Sequence, residues 1–123
     1  MAHFAKVNNG VVETVIVVSN DDCGGGVFPQ SEPIGQAFIA SLGIDGDWLQ
    51  TSYNSNFRKQ YAGIGTSYDA QADEFVSVSP YASWVLDANN DWQPPTPKPE
   101  GYFYWNEETV SWIEFVPEPY IWE

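Results

Sequence analysis

Cysteine, histidine and basic side chains are almost missing from this sequence. Its 123 residues include one cysteine (Cys23), one histidine (His3) and only four lysines and arginines. One cysteine excludes an internal disulfide and leaves the redox compartment open. A catalytic nucleophile needs an activating base and a group that orients it. His3 stands near the start of the chain. Cys23 falls in the glycine-rich stretch 20–26 (NDDCGGG), read as a mobile loop without a basic neighbour to lower the thiol pKa. No catalytic residues are expected, and the chain reads as a non-enzyme.

The shortage of positive charge excludes more. Seventeen acidic residues give a formal net charge of −13, and the only basic pair is Arg58-Lys59. Nucleic-acid binding needs a basic stripe, and anionic membranes need a basic cluster, so neither partner is expected. No apolar run is longer than Val15–Val18, so no segment reads as a membrane span. The opening Met-Ala-His-Phe lacks a basic n-region and a long apolar stretch, so no secretory signal is expected and synthesis is cytoplasmic. Acidic pairs occur at Asp21-Asp22, Asp45/Asp47, Asp87/Asp91 and Glu107-Glu108. None has the spacing of a calcium loop, and turn hydrogen bonds account for Asx residues there. No metal or cofactor is expected.

Aromatic residues are abundant, and they are concentrated. Residues 68–123 hold 13 of the 20 aromatics and five of the six tryptophans, with Lys98 as the one basic residue. A short pattern recurs there three times: Tyr68-Asp69 before Phe75, Leu86-Asp87 before Trp92, and Trp105-Asn106 before Trp112. A large apolar residue meets an Asx residue, a turn follows, and the next strand opens on an aromatic. This predicts successive β-hairpins with large side chains facing each other across the strands.

Upstream, Asn9-Gly10 separates the β-prone runs His3–Val7 and Val11–Val18, the strongest short hairpin signal. The near-continuous valines of the second run suit a strand covered on both faces. Ser31–Leu42 is the one predicted helix, with Ser31 as cap, Pro33 in the first turn and Gly43 at the stop. Ile34, Phe38, Ile39 and Leu42 share a face by helical spacing and are expected to pack on the N-terminal hairpin. A strand is expected at 48–53. The proline-rich stretch 94–99 (PPTPKP) must be extended and reads as a hinge. The predicted fold is mostly β (α+β): a small antiparallel sheet, one short helix at about 31–42, then C-terminal hairpins. A compact body spans 1–93, and the hinge, an aromatic hairpin and a docking tail span 94–123.

Several stretches carry a resemblance: residues 1–5 (MAHFA), 48–54 (WLQTSYN), 56–69 (NFRKQYAGIGTSYD) and 80–86 (PYASWVL). Together they resemble a family of small proteins of marine, cyanobacterial-type tailed phages, over most of the chain. The sequence departs from that family at Thr66, where an aromatic is usual, and at Ala82, where a proline is usual. The resemblance implies a virion or tail-region structural protein and transfers no catalytic residue. It also implies other virion proteins as partners (major capsid or tail proteins), in a homo-oligomer or symmetric array.

Arg58 reads two ways: as a bidentate anchor for a carboxylate, internal or on a partner, or as half of a solvated pair. Trp84, Trp92, Trp105 and Trp112 read as cross-strand core, as a platform for sugar rings, or as protein-contact anchors. Tyr104, Tyr120 and Trp122 join Arg58 and these tryptophans as expected partner-binding residues, with a surface glycan as the other candidate ligand. The expectation is a virion accessory protein that decorates or cements a capsid. Its alternatives are a tail adaptor, a short fibre component or a carbohydrate-binding module for host adsorption.

Overall fold

A computed structural model describes residues 1–116. The chain forms two compact units, Met1–Val78 and Ser79–Glu123. The tail around Pro117–Trp122, with the expected contact residues Tyr120 and Trp122, lies outside the described residues. The fold is mostly β with one helix, as the sequence predicts.

The first unit is a five-stranded antiparallel sheet in the order β3-β1-β2-β4-β5, crossed by one helix. Its strands are β1 (Ala2–Asn8), β2 (Val11–Val18), β3 (Asp47–Thr51), β4 (Ser67–Asp69) and β5 (Glu74–Val76), and α1 is Ser31–Ser41. Asn9 and Gly10 both take positive φ between β1 and β2, which twists a two-residue turn to match the strands. The register Phe4↔Ile16 and Ala5↔Val15 then sends alternate residues to opposite faces. On one face Ala2, Phe4, Val18 and Trp48 pack with Ile39 of the helix and Cys23. On the other, Ala5 and Val12 pack with Ala62 and Phe75. The sheet thus has a core on each side, as the valine run of β2 implies.

Three expectations about this unit are corrected. Cys23 does not sit in a mobile loop. It closes a 3-10 turn, Asp21–Cys23, and its side chain is buried in the core beside Phe4. Burial, and next the negative charge of Asp22, push its thiol pKa up, the opposite of an activated nucleophile. The helix buries the predicted face only in part: Ile39 is buried and Phe38 packs against the hairpin core, but Ile34 (46 % exposed) and Leu42 (58 %) face solvent, and Ser31 and Gly35 face inward instead. Only at Gly35 can the helix come this close, since a Cβ there would lie 2.2 Å from Phe4 Cζ. Ser31 does not cap the helix either, its hydroxyl donating instead to Gln50 Oε1 at 2.7 Å.

That contact belongs to a larger arrangement along the outer edge of β3. An open strand edge exposes backbone groups that invite pairing with another chain. Here side chains occupy them. The Gln36 amide donates to the Trp48 carbonyl at 2.6 Å, and the Gln50 N–H donates to Glu32 Oε2 at 2.8 Å. Arg58 donates to the Gln50 carbonyl at 2.9 Å while also gripping both oxygens of Glu32. Its Nε donates to Asp73 at 2.7 Å, and its guanidinium lies over the rings of Phe28 and Tyr68. The Arg58 side chain is only 8 % exposed. The anchoring reading of this residue is therefore realised inside the unit: Arg58 ties helix, edge strand and β4–β5 hairpin together.

The Gly63–Thr66 segment seals the other side. Gly65 takes positive φ, its N–H donates to the Val12 carbonyl at 2.9 Å, and Thr66 returns its carbonyl to the Val12 N–H at 2.8 Å. The Thr66 hydroxyl bonds back to the Gly63 carbonyl. The YAGIGT string is thus a backbone clasp on β2, with Ala62 buried beneath it and Ile64 outside.

Candidate functional site

The second unit is built from two short hairpins, β6 (Val85–Leu86) with β7 (Trp92–Gln93) and β8 (Phe103–Asn106) with β9 (Ser111–Glu114). The sequence repeat reappears as cross-strand register. Leu86 pairs with Trp92, Trp105 with Trp112, and in the first unit Tyr68 pairs with Phe75. The Asx residue after the first partner shapes each turn. Asp69 Oδ1 accepts from the Gln71 N–H, Asp87 Oδ1 from Asn89 and Asp91, and Asn106 Oδ1 from Thr109. Each turn then closes on a left-handed residue, Asp73, Asn90 or Val110. Three sequence repeats are three copies of one turn device.

Pairing Trp105 with Trp112 puts both on the inner face of β8–β9. Their ring centroids are 5.2 Å apart and nearly perpendicular, an edge-to-face pair. Trp84 packs edge-on against Trp105 at 5.9 Å and tilts towards Trp112 at 6.4 Å, and Tyr81 lies 5.5 Å from Trp84. Hairpins this short cannot hold together alone. The four rings supply the buried area that they lack.

Glu107 locks the cluster. One carboxylate accepts the Trp105 indole N–H at 2.9 Å, the Ser83 hydroxyl at 2.7 Å and the Ser83 N–H at 3.0 Å. These bonds, that of the Ser83 hydroxyl foremost and then that of Trp105, hold its pKa below the usual range for glutamate. Trp84 differs: its indole Nε1 is buried without a hydrogen-bond partner among the described residues.

Two surfaces remain open. The first is a groove of about 440 Å³ lined by Trp84, Gln93, Pro94, Pro97, Lys98 and Trp112. The proline-rich segment 94–99 forms one wall of it. Trp112 fixes that wall by donating its indole N–H to the Thr96 carbonyl at 2.7 Å, and Lys98 Nζ donates to the Gly101 carbonyl at 3.1 Å. The second is the outer face of β8–β9. Tyr104 pairs with Ile113, and the Phe115 N–H donates to the Tyr102 carbonyl at 2.7 Å, so the four side chains stand in one stripe. Tyr102 is 79 % exposed, Phe115 55 % and Tyr104 50 %.

The residues expected to bind a partner are thus distributed unevenly. Trp84, Trp105 and Trp112 come together in one cluster, and Trp84 and Trp112 also wall the groove. Tyr104 belongs to the outer stripe. Trp92 lies half-buried on β7, and Arg58 serves the first unit from within. The sequence reading overlooked Tyr81, Ser83, Glu107, Tyr102 and Phe115. A Trp-x-Glu spacing at 105–107 and a tyrosine two residues before Tyr104 were the signals available. Elsewhere, His3 stacks on Tyr53 at 5.5 Å and meets the edge of Tyr61 at 5.9 Å, an aromatic contact. Among the described residues no three histidine, cysteine or acidic side chains gather as metal ligands, and no helix is long and apolar enough to cross a membrane.

Comparison of the chain with known protein families, curated proteins and solved structures finds no match.

Proposed function

We propose that this chain is a structural accessory protein of a tailed-phage virion, decorating or cementing the capsid through protein–protein contacts. The observation that carries the reading is the outer stripe of β8–β9. Tyr102, Tyr104, Ile113 and Phe115 form a continuous apolar and aromatic face on a hairpin whose other face is already filled by tryptophans. Exposed patches of this kind mark contact surfaces, and tyrosine and tryptophan are favoured anchors there. The resemblance of residues 56–69 and 80–86 to marine phage proteins supports the setting. The burial of Cys23 and the stacking of His3 on tyrosines place the two best nucleophile and base candidates in packing roles.

On this reading the mechanism is mass action. A protein that binds only the assembled shell stabilises that state over free subunits. The acidic surface fits a shell partner carrying basic residues around an apolar pocket. A tail adaptor or short fibre component would use the same stripe at another place on the particle.

The test is incorporation. Particles assembled with the double variant Tyr102→Ser, Tyr104→Ser are expected to lose the protein, while the purified variant keeps its circular dichroism. Full incorporation of that variant would overturn the stripe as the contact surface. A second reading, sugar binding for host adsorption, is favoured by the groove between Trp84 and Trp112.

A further inference from the structure

We infer that the groove walled by Trp84, Trp112, Pro94 and Pro97 is a binding site for a short saccharide bearing a carboxylate, a uronate-type sugar. The inference rests on the sugar-binding reading of this groove, a site separate from the outer stripe.

The lining sets the chemistry. At about 440 Å³ the groove falls within the roughly 300–1,000 Å³ range of small-molecule sites. Two indoles and two proline rings give it flat, rigid apolar walls, while Gln93 and Lys98 are its only polar side chains. A pyranose ring has the matching character, with apolar C–H faces to lie on aromatic planes and hydroxyls at its rim to meet donors. The Trp84 indole N–H is itself buried, so Trp84 offers the groove its ring surface and not a donor.

Charge decides between kinds of occupant. Lys98 is the only basic residue after Lys59, within a stretch rich in acids. One of its three donors reaches the Gly101 carbonyl, and no second partner for its ammonium lies among the described residues. A polyphosphate or nucleic acid would bring many negative charges to a chain whose net charge is −13. A single carboxylate, brought in on an otherwise neutral ring, finds one ammonium at the groove and a charge-assisted hydrogen bond there.

A proline-rich peptide is the rival occupant, since aromatic grooves bind such segments. That mode relies on an aromatic N–H or O–H to hold the peptide carbonyl. Trp112 has already given its indole N–H to Thr96, in the chain's own proline-rich segment. The peptide position is filled from within, and what remains open is ring surface beside a cation.

The experiment titrates the full chain with cellobiouronic acid, a disaccharide carrying one carboxylate, its methyl ester and a proline-rich peptide. Tryptophan fluorescence and proton–nitrogen NMR of the indoles report binding. The expected result is a saturable response to the acid that moves the Trp84 and Trp112 indole signals and leaves Trp48 unmoved, since the Trp48 indole is bonded to Asp45 in the first unit. Esterification is expected to weaken binding about tenfold, as loss of one charge-assisted hydrogen bond implies. Lys98→Met, which keeps the apolar stem, should weaken the acid by the same factor and leave the ester unchanged. Absence of any saturable response to the acid would overturn the inference. So would equal binding of acid and ester, unaltered binding by Lys98→Met, or tighter binding of the proline-rich peptide at the same indoles.

Discussion

Gly35 shows how one side chain, or the lack of it, positions an element. It sits mid-helix, where alanine would ordinarily add about 1 kcal/mol of helix stability. Yet the added Cβ would fall 2.2 Å from Phe4 Cζ, 2.7 Å from Cε1 and 3.0 Å from Cys23 Sγ. Overpacking a filled core costs about 1–3 kcal/mol, so the steric effect wins. Gly35→Ala is expected to lower stability by about 1 kcal/mol or more in denaturant unfolding, and a stabilised variant would contradict this packing. Val110 shows the converse strain. It is the β-branched member of the three left-handed turn residues, with φ of 51°. Asn tolerates that conformation at lower cost. Val110→Asn should therefore stabilise the second unit by about 1 kcal/mol, read as a higher melting temperature.

The Tyr68–Asp73 pair gives the pH response. The Tyr68 hydroxyl donates to Asp73 at 2.5 Å. Burial first, and then this bond, push the Tyr68 pKa up to about 12. The same bond, helped by Arg58 and opposed by burial, holds Asp73 below its ordinary range. A depressed carboxylate stabilises the fold above its unfolded pKa of about 4, and that contribution is lost as pH falls through the folded value. A raised tyrosine contributes fully below about pH 10, its unfolded value, and loses that contribution as pH rises towards 12. Absorbance titration should show a late tyrosine step that disappears in Tyr68→Phe. Glu107, also depressed, makes the second unit weaken on acidification in the same direction as the first.

At the scale of elements, the protection of β3 is the arrangement that most needs testing. Arg58 and Glu32 are both largely buried, and removing one partner strands the other. Arg58→Ala is expected to cost about 3 kcal/mol. The double variant with Glu32→Ala should lose less than the two single losses together. Additive losses would mean that the pair is not coupled.

The hairpins were legible in the sequence because their signals are local: Asn9-Gly10, and an Asx residue between two large side chains. The pairs Tyr68–Phe75, Leu86–Trp92 and Trp105–Trp112 follow from turn length alone. The buried helix face was legible only in part. Counting apolar residues at helical spacing finds Phe38 and Ile39, which pack on the core, but also Ile34 and Leu42, where the fold buries a glycine and a serine instead. The reason lies in Phe4 and Gln50, which are distant in sequence. Arg58 was left between an anchor and half of a solvated pair, and its partners Glu32 and Asp73 could not be named, because that ion network is made by tertiary packing. The aromatic site was read only in part for the same reason. Its tryptophans announce themselves, while Glu107, Ser83 and the proline wall acquire their roles only when two hairpins meet.

For the whole molecule, the two units divide the labour. In the first, both sheet faces carry a core, side chains occupy the β3 edge and the arginine is turned inward, while Ile34, Leu42, Tyr53 and Ile64 stay exposed. The second holds its own aromatic core and leaves a stripe and a groove open. On the proposed reading the contacts come from the second unit, and a net charge of −13 favours a basic surface as partner. The most direct measurement is cryo-electron microscopy of purified particles with this chain traced into density. The account predicts density on the head shell, repeated with its symmetry, and Tyr102, Tyr104 and Phe115 buried against shell subunits. Absence from the particle, or density in which that stripe faces solvent, would contradict it.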